Sequence, residues 1–154
     1  MNSSTSLSRS QTSTMSSTSE APCIFPTLRY RNAAAMIDWL QQAFGFKEYV
    51  CYREEEIIAH AELALGSSLI MIGEAREDAF CKIVGHPGES AGKAIYIAVG
   101  DVEEVFASAS AAGAEVLEGL TDRDYGSKEF ICRDPEGNIW CFGTYWPKAG
   151  KTPL

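Results

Sequence analysis

The spacing of apolar residues along the chain switches from every second position to every third or fourth and back again, and it does so twice. Ile24 to Tyr30 alternates into an extended segment. Met36, Ile37, Leu40 and Phe44 then recur at helical spacing, with Asn32 placed to cap the first turn and Gly45 to end the helix. Three further strands are expected at about 48–53, 57–65 and 68–73. A second series starts at about 94–99, where Ile95, Ile97 and Val99 alternate with smaller residues. Its helix opens on Asp101-Val102-Glu103-Glu104, a capping-box-like arrangement, and carries Val102, Val105, Phe106, Ala109 and Ala112 on one face. Strands at about 115–119, 128–133 and 138–144 follow, the last two joined by the turn Asp134-Pro135-Glu136-Gly137.

The two series are copies of one unit. Asn32 and Asp101 stand 69 positions apart, and the closing glycines Gly45 and Gly113 stand 68 apart. Two copies of strand-helix-three strands point to a paired module, since a solenoid needs at least three. The fold class is therefore α+β, with modules at about 23–74 and 93–146 inside one domain spanning 21–148. At 154 residues and 45% hydrophobic content, one sizeable core is all the chain can bury. Residues 1–20 are mostly Ser and Thr, read as a disordered tail because they offer too little apolar surface to offset the entropy of ordering; 149–154 forms a second tail. No continuous apolar stretch suits a secretory signal or a membrane span, and a single Arg9 gives little of the positive charge of a transit peptide.

Charge narrows the partners. A formal net charge of −8 argues against nucleic acid, whose phosphates need clustered Lys and Arg. The run Arg53-Glu54-Glu55-Glu56 reads as a solvated turn. Cys23, Cys51, Cys81, Cys132 and Cys141 form an odd set without C-x-x-C spacing, which favours free thiols and a cytoplasmic location.

The βαβββ-βαβββ order, with Arg133-Asp134-Pro135-Glu136-Gly137-Asn138-Ile139-Trp140 before the final strand, resembles the vicinal oxygen chelate superfamily. That group holds glyoxalase I, bleomycin-resistance proteins, fosfomycin-modifying enzymes and ring-cleaving dioxygenases. The resemblance covers about 23–146 and implies a cupped eight-stranded mixed sheet, with helices on its convex side and the ligand site in the concave front. It also implies a homodimer whose pocket takes residues from both subunits.

Neighbours on a strand point to opposite sides, so alternation sorts residues into helix-facing and cup-facing sets. Leu28, Tyr30, Ile95, Ile97, Val99, Trp140 and Phe142 belong to the helix side. Phe25, Thr27, Arg29, Leu69, Met71, Ala94, Tyr96, Ala98, Ile139, Cys141 and Gly143 belong to the cup. Metal-dependent relatives hold an ion on their first, fourth, fifth and eighth strands, and the repeat puts those positions at Phe25, Met71, Ala94 and Cys141. Phe and Ala cannot coordinate, a thioether binds hard ions poorly, and one thiol does not make a site. The expectation is no metal and no cofactor; the alternative is one divalent ion at a rearranged site. With only His60 and His86 in the chain, three histidine ligands are excluded.

His60 and Glu62 share one face of the third strand, opposite Ala61 and Leu63. They are the candidate catalytic pair, for proton transfer, ligand orientation or a displaced metal site; a hydrogen-bonded structural pair at a sheet rim is the competing reading. Arg29 would favour an anionic ligand, or be neutralised by Glu62 or Glu129. His86, in Gly85-His86-Pro87-Gly88, reads as part of a plain connector. Cys141 reads as a packing cysteine in a functional slot. Tyr145 and Trp146 suit a pocket edge or a subunit interface. Phe25, Thr27, Arg29, Met71, Tyr96, Cys141 and Tyr145 are thus the candidate ligand-binding set. Two functions fit: a small-molecule-binding protein of the bleomycin-resistance type, serving drug or metabolite sequestration, or a glyoxalase-like lyase, isomerase or dioxygenase-like enzyme using His60 and Glu62.

Overall fold

The computed structural model describes residues 22–88 and 91–149. The tail at 1–20 lies outside the described residues, as does all of the C-terminal tail after position 149. The first module comprises β1 (Thr27–Tyr30), α1 (Ala33–Phe44), β2 (Lys47–Glu54), β3 (Ile57–Leu65) and β4 (Ser68–Glu74). A short helix, α2 (Ala79–Val84), separates it from the second module of β5 (Ile95–Ala98), α3 (Val102–Ala111), β6 (Glu115–Asp122), β7 (Lys128–Arg133) and β8 (Ile139–Gly143). Each module is a four-stranded mixed sheet, ordered β1-β4-β3-β2 and β5-β8-β7-β6. The eight strands thus lie in two sheets of four. In each, the strand before the long helix pairs parallel with the last strand of its own module.

Local chemistry accounts for the repeated punctuation. The Asn32 side chain accepts from Ala35 N and the Asp101 side chain from Glu104 N, so each long helix has one first-turn amide satisfied by its cap. Gly45 closes α1 at φ 85° and Gly113 follows α3 at φ 93°, a left-handed conformation that costs a residue with Cβ about 1 kcal/mol or more. The helix at 79–84 was not foreseen, because six residues are too few to show a period. Asp78 caps it, accepting from Cys81 N at 2.9 Å.

The two modules share one core. Phe44 at the end of α1 packs against Trp140 and Phe142 of β8, with ring centroids 5.1 and 4.7 Å apart. Trp39 Nε1 donates to Ala112 O at 2.7 Å, and Ser108 Oγ donates to Ala43 O at 2.7 Å, tying α1 to the end of α3 and α3 to the end of α1. The Asp-Pro-Glu-Gly-Asn turn is the polar clasp of this interface. Asp134, 3% exposed, accepts from Tyr30 OH, Trp140 Nε1 and the backbone amides of Glu136 and Asn138. Burial, reinforced by the Asp134 charge, holds the Tyr30 phenol far above its ordinary pKa. The Glu136 carboxylate accepts from Arg31 N and Asn32 N, closing the entry to α1. The motif that carries the family resemblance therefore fastens the two modules together.

Candidate functional site

With both long helices on one side, strand alternation leaves the other face of each sheet for chemistry. Tyr30, Ile58, Ala61, Leu63, Ile70, Ile72, Phe130, Cys132, Trp140 and Phe142 are all buried in the core, which turns the intervening residues outward. On the first module the register aligns Thr27, Met71, Glu62 and Val50 in one row across β1, β4, β3 and β2. A register shift at Tyr52/Arg53 makes room for an extra β3 residue, Ala59, so that Ile58 and Ala61 both reach the core while His60 points out. His60 Nε2 then lies 2.9 Å from Glu62 Oε2, with the Tyr52 ring stacked 6.3 Å from the imidazole. This pair is partly open to solvent, at 39% and 27% side-chain exposure.

Arg29 follows two positions along β1, opposite Gly73 in the register. Its two terminal nitrogens donate to the two oxygens of Asp78 at 2.8 Å each, and its guanidinium lies 5.0 Å from the centre of the Phe80 ring. The partner is neither Glu62 nor Glu129, the two acids the sequence brings to mind. Both belong to the sheets, whereas Asp78 caps a helix that no periodicity announces. The Arg29 guanidinium, helped by the Cys81 backbone amide, holds the Asp78 carboxyl well below the usual carboxylate range.

The second module carries a denser arrangement at corresponding places. Tyr96 pairs with Cys141 as Thr27 pairs with Met71, and Ile131 pairs with Cys141 as Glu62 pairs with Met71. Two residues back along β7, where β3 has His60, stands Glu129, only 8% exposed. Glu129 accepts from Arg123 Nε at 3.1 Å and from Tyr125 OH at 2.9 Å, and Arg123 also grips Glu118 through both terminal nitrogens. Burial pushes the Glu129 carboxyl up, but hydrogen bonds from Tyr125, Arg123 and Ser127 outweigh it and hold it below its ordinary value.

Aromatic rings frame that carboxylate. Tyr96 OH donates to Tyr145 O at 2.7 Å, the Tyr125 and Tyr145 rings meet edge-on at 6.2 Å, and Tyr145 N donates to Ser127 Oγ at 3.0 Å. Gly143 makes the convergence possible, since a Cβ there would lie 2.5 Å from Tyr96 OH and 2.7 Å from Glu129 Cγ. Burial raises the Tyr96 phenol, and the hydrogen bond to Glu129 raises that of Tyr125, so both rings stay neutral hydrogen-bond donors at pH 7. Burial and the Glu129 charge push the Cys141 thiol up too, leaving it protonated and a poor nucleophile.

The candidate residues thus divide into groups. Thr27, Met71, Glu62 and His60 share the first sheet face; Tyr96, Cys141 and Tyr145 share the second; Arg29, on β1, is tied by Asp78 to the linker helix. Phe25, 38% exposed, precedes β1. Two cavities open beside the unpaired edges of β1 and β5. One, of about 910 Å³, is lined by Thr27, Arg29, Phe80, His86, Ala94 and Ile139 among others; the second, of about 610 Å³, includes Phe44, Phe46, Tyr96, Val99 and Trp146. Neither takes in His60, Glu62, Glu129 or Cys141. Sequence reasoning missed Glu129, Arg123 and Tyr125 as a unit. The available signal was alternation on β7, where Phe130 and Cys132 in the core send Glu129 outward.

Two βαβββ modules packed through their helices, with polar clusters at matching places on the opposite sheet faces, define a paired-module α+β protein. The chain belongs to the Glyoxalase/Bleomycin resistance protein/Dioxygenase superfamily, whose family model matches residues 24–142. Among solved structures it is similar to TioX from Micromonospora sp. ML1, at 28% identity and TM-score 0.65, over 80% of this chain and 100% of that one. A glyoxalase/bleomycin resistance protein/dioxygenase family enzyme from Burkholderia phytofirmans PsJN is 22% identical at TM-score 0.60, over 77% of this chain and 94% of that one. The fosfomycin resistance protein FosX from Mesorhizobium loti is 13% identical at TM-score 0.60, over 81% and 92%. The last two show the fold alone. No curated protein matches the chain. Among the described residues no helix is long and apolar enough to cross a membrane.

Proposed function

We propose that this protein is a small-molecule-binding member of its superfamily, taking a planar ligand with cationic character against the second-module face, in drug or metabolite sequestration. The observation that carries this reading is the Tyr96–Tyr125–Tyr145 wall around a buried, ionised Glu129. Rings supply flat apolar area, and two carboxylates against one guanidinium leave the Glu118–Arg123–Glu129 cluster net negative. The superfamily's metal positions fit no ion here: Phe25 and Ala94 have no lone pair to give, Met71 offers a thioether, and the Cys141 thiol is held protonated. A cytoplasmic location and a homodimer that covers Tyr125, Tyr145 and Trp146, each more than half exposed, complete the proposal.

Titration with proflavine, a planar aromatic cation, tests it against 1-naphthalenesulfonate, a planar anion. The cation is expected to bind, with affinity reduced about tenfold in Glu129→Gln, while the anion binds weakly or not at all. Equal affinity for both probes would remove the electrostatic part of the reading. Gel filtration with light scattering is expected to give twice the 16.8 kDa chain mass.

A second reading is favoured by the 2.9 Å His60–Glu62 contact, which suits a proton acceptor and its orienting carboxylate in a lyase or isomerase. Under it, His60→Ala abolishes turnover of a bound ligand but leaves its affinity unchanged.

A further inference from the structure

The linker between the modules brings together three metal-ligating side chains that the sheet faces do not use. Glu77, Cys81 and His86 each present one donor atom, and these atoms lie within 4.8 Å of one another. His86 Nε2 is 2.8 Å from Glu77 Oε2 and 3.5 Å from Cys81 Sγ, and Cys81 Sγ is 3.9 Å from Glu77 Oε1.

The arrangement excludes a nucleophilic triad. A Cys-His-Glu relay needs the thiol on one ring nitrogen and the carboxylate on the other, so that a proton taken at the first is balanced at the second. Here both partners crowd Nε2. Convergence on a single point is instead what a metal ion requires. Zinc bonds of about 2.3 Å to sulfur and about 2.0 Å to nitrogen, at a tetrahedral angle, put those atoms about 3.5 Å apart. The Cys–His separation already has that value, and the Glu–His hydrogen bond would open by about 0.5 Å to admit the ion.

The scaffold is fixed before any ion arrives. Asp78 caps α2 through Cys81 N and is itself clamped by Arg29, while Gly85 N donates to Cys81 O at 2.8 Å just before His86. Cys81 is 6% exposed, whereas the Glu77 and His86 side chains are 81% and 63% exposed, so the site has a buried anchor and an open mouth. We propose that Glu77, Cys81 and His86 bind one zinc-class divalent ion, with water or an exogenous ligand completing the tetrahedron. One thiolate, one imidazole and one carboxylate suit zinc or cobalt(II) over magnesium or calcium, which take oxygen ligands. His86 also lines the larger cavity, so the ion would sit in its wall, apart from the ligand face of the second module.

Cobalt(II) added to the full-length, metal-stripped protein gives the test, because a thiolate ligand produces a sulfur-to-cobalt charge-transfer band in the near ultraviolet. One equivalent is expected to produce the band, which is lost in Cys81→Ser and in His86→Ala and retained in Cys141→Ser and His60→Ala. Glu77→Gln, at an exposed side chain, keeps the fold and is expected to weaken binding about tenfold. No band in the parent chain, a band that persists in folded Cys81→Ser, or unchanged affinity in Glu77→Gln would overturn the site.

Discussion

The two sheet faces share one grid and differ in how tightly their polar groups are held. On the first, His60 and Glu62 form a pair that is partly open to water and lies beside the Tyr52 ring. On the second, Glu129 occupies the place of His60 but is nearly buried and fixed by Arg123 and Tyr125, with Tyr96 meeting it over Gly143 and bonded to Tyr145. A duplicated backbone fixes where a polar group can stand. Its neighbours on the next strand and loop decide whether it is an adaptable surface pair or a pre-organised cluster. Pre-organisation lowers what a ligand must spend in ordering the site, which is why the second face is the stronger candidate for binding.

The largest expected effect falls on what the faces have in common. Trp140→Ala should cost about 3–5 kcal/mol, read by urea denaturation, because the indole is fully buried between Phe44, Phe46 and Asp134. Unfolding should remain a single transition by tryptophan fluorescence and circular dichroism. Two separated transitions would mean that the modules do not share a core. Asp134→Ala should follow at about 3 kcal/mol, since it leaves Tyr30 OH and Trp140 Nε1 buried without an acceptor.

The next pair of substitutions separates the faces. Glu129→Ala should cost about 1–2 kcal/mol, whereas His60→Ala should stay within about 0.5 kcal/mol of the parent. Equal losses would erase the distinction between a held and an adaptable cluster. Acid adds a further contrast. The folded Glu129 carboxyl lies below its unfolded value, so its stabilisation is complete above the ordinary glutamate range near pH 4.5 and is lost as pH falls through the folded value. Between pH 5 and about pH 3 the thermal midpoint should therefore fall less in Glu129→Gln than in the parent. An unchanged acid profile would place the sensitivity elsewhere, with Asp78 the first alternative.

Much of this was legible in the sequence because periodicity is a local property. Leu28, Tyr30, Ile95, Ile97, Trp140 and Phe142 all pack on the helix side, where alternation puts them, and His60 and Glu62 share the outer face of β3. What was not legible depends on long-range geometry. Arg29 meets Asp78, 49 residues away, through a helix too short to show a period. Glu129 is buried by Arg123, Tyr125 and Gly143, which come together only once β6, β7 and β8 have paired. His86 read as a connector because its partners Glu77 and Cys81 are not flanked by a zinc-like repeat.

Whether a planar cation binds to the second-module face can be read from backbone amide shifts in a two-dimensional NMR titration of the folded protein with proflavine. Saturable shifts are expected to concentrate at Tyr96, Tyr125, Glu129, Cys141 and Tyr145, with His60 and Glu62 little affected. Shifts centred on His60 and Glu62, or confined to Phe80, His86 and the larger cavity, would contradict it.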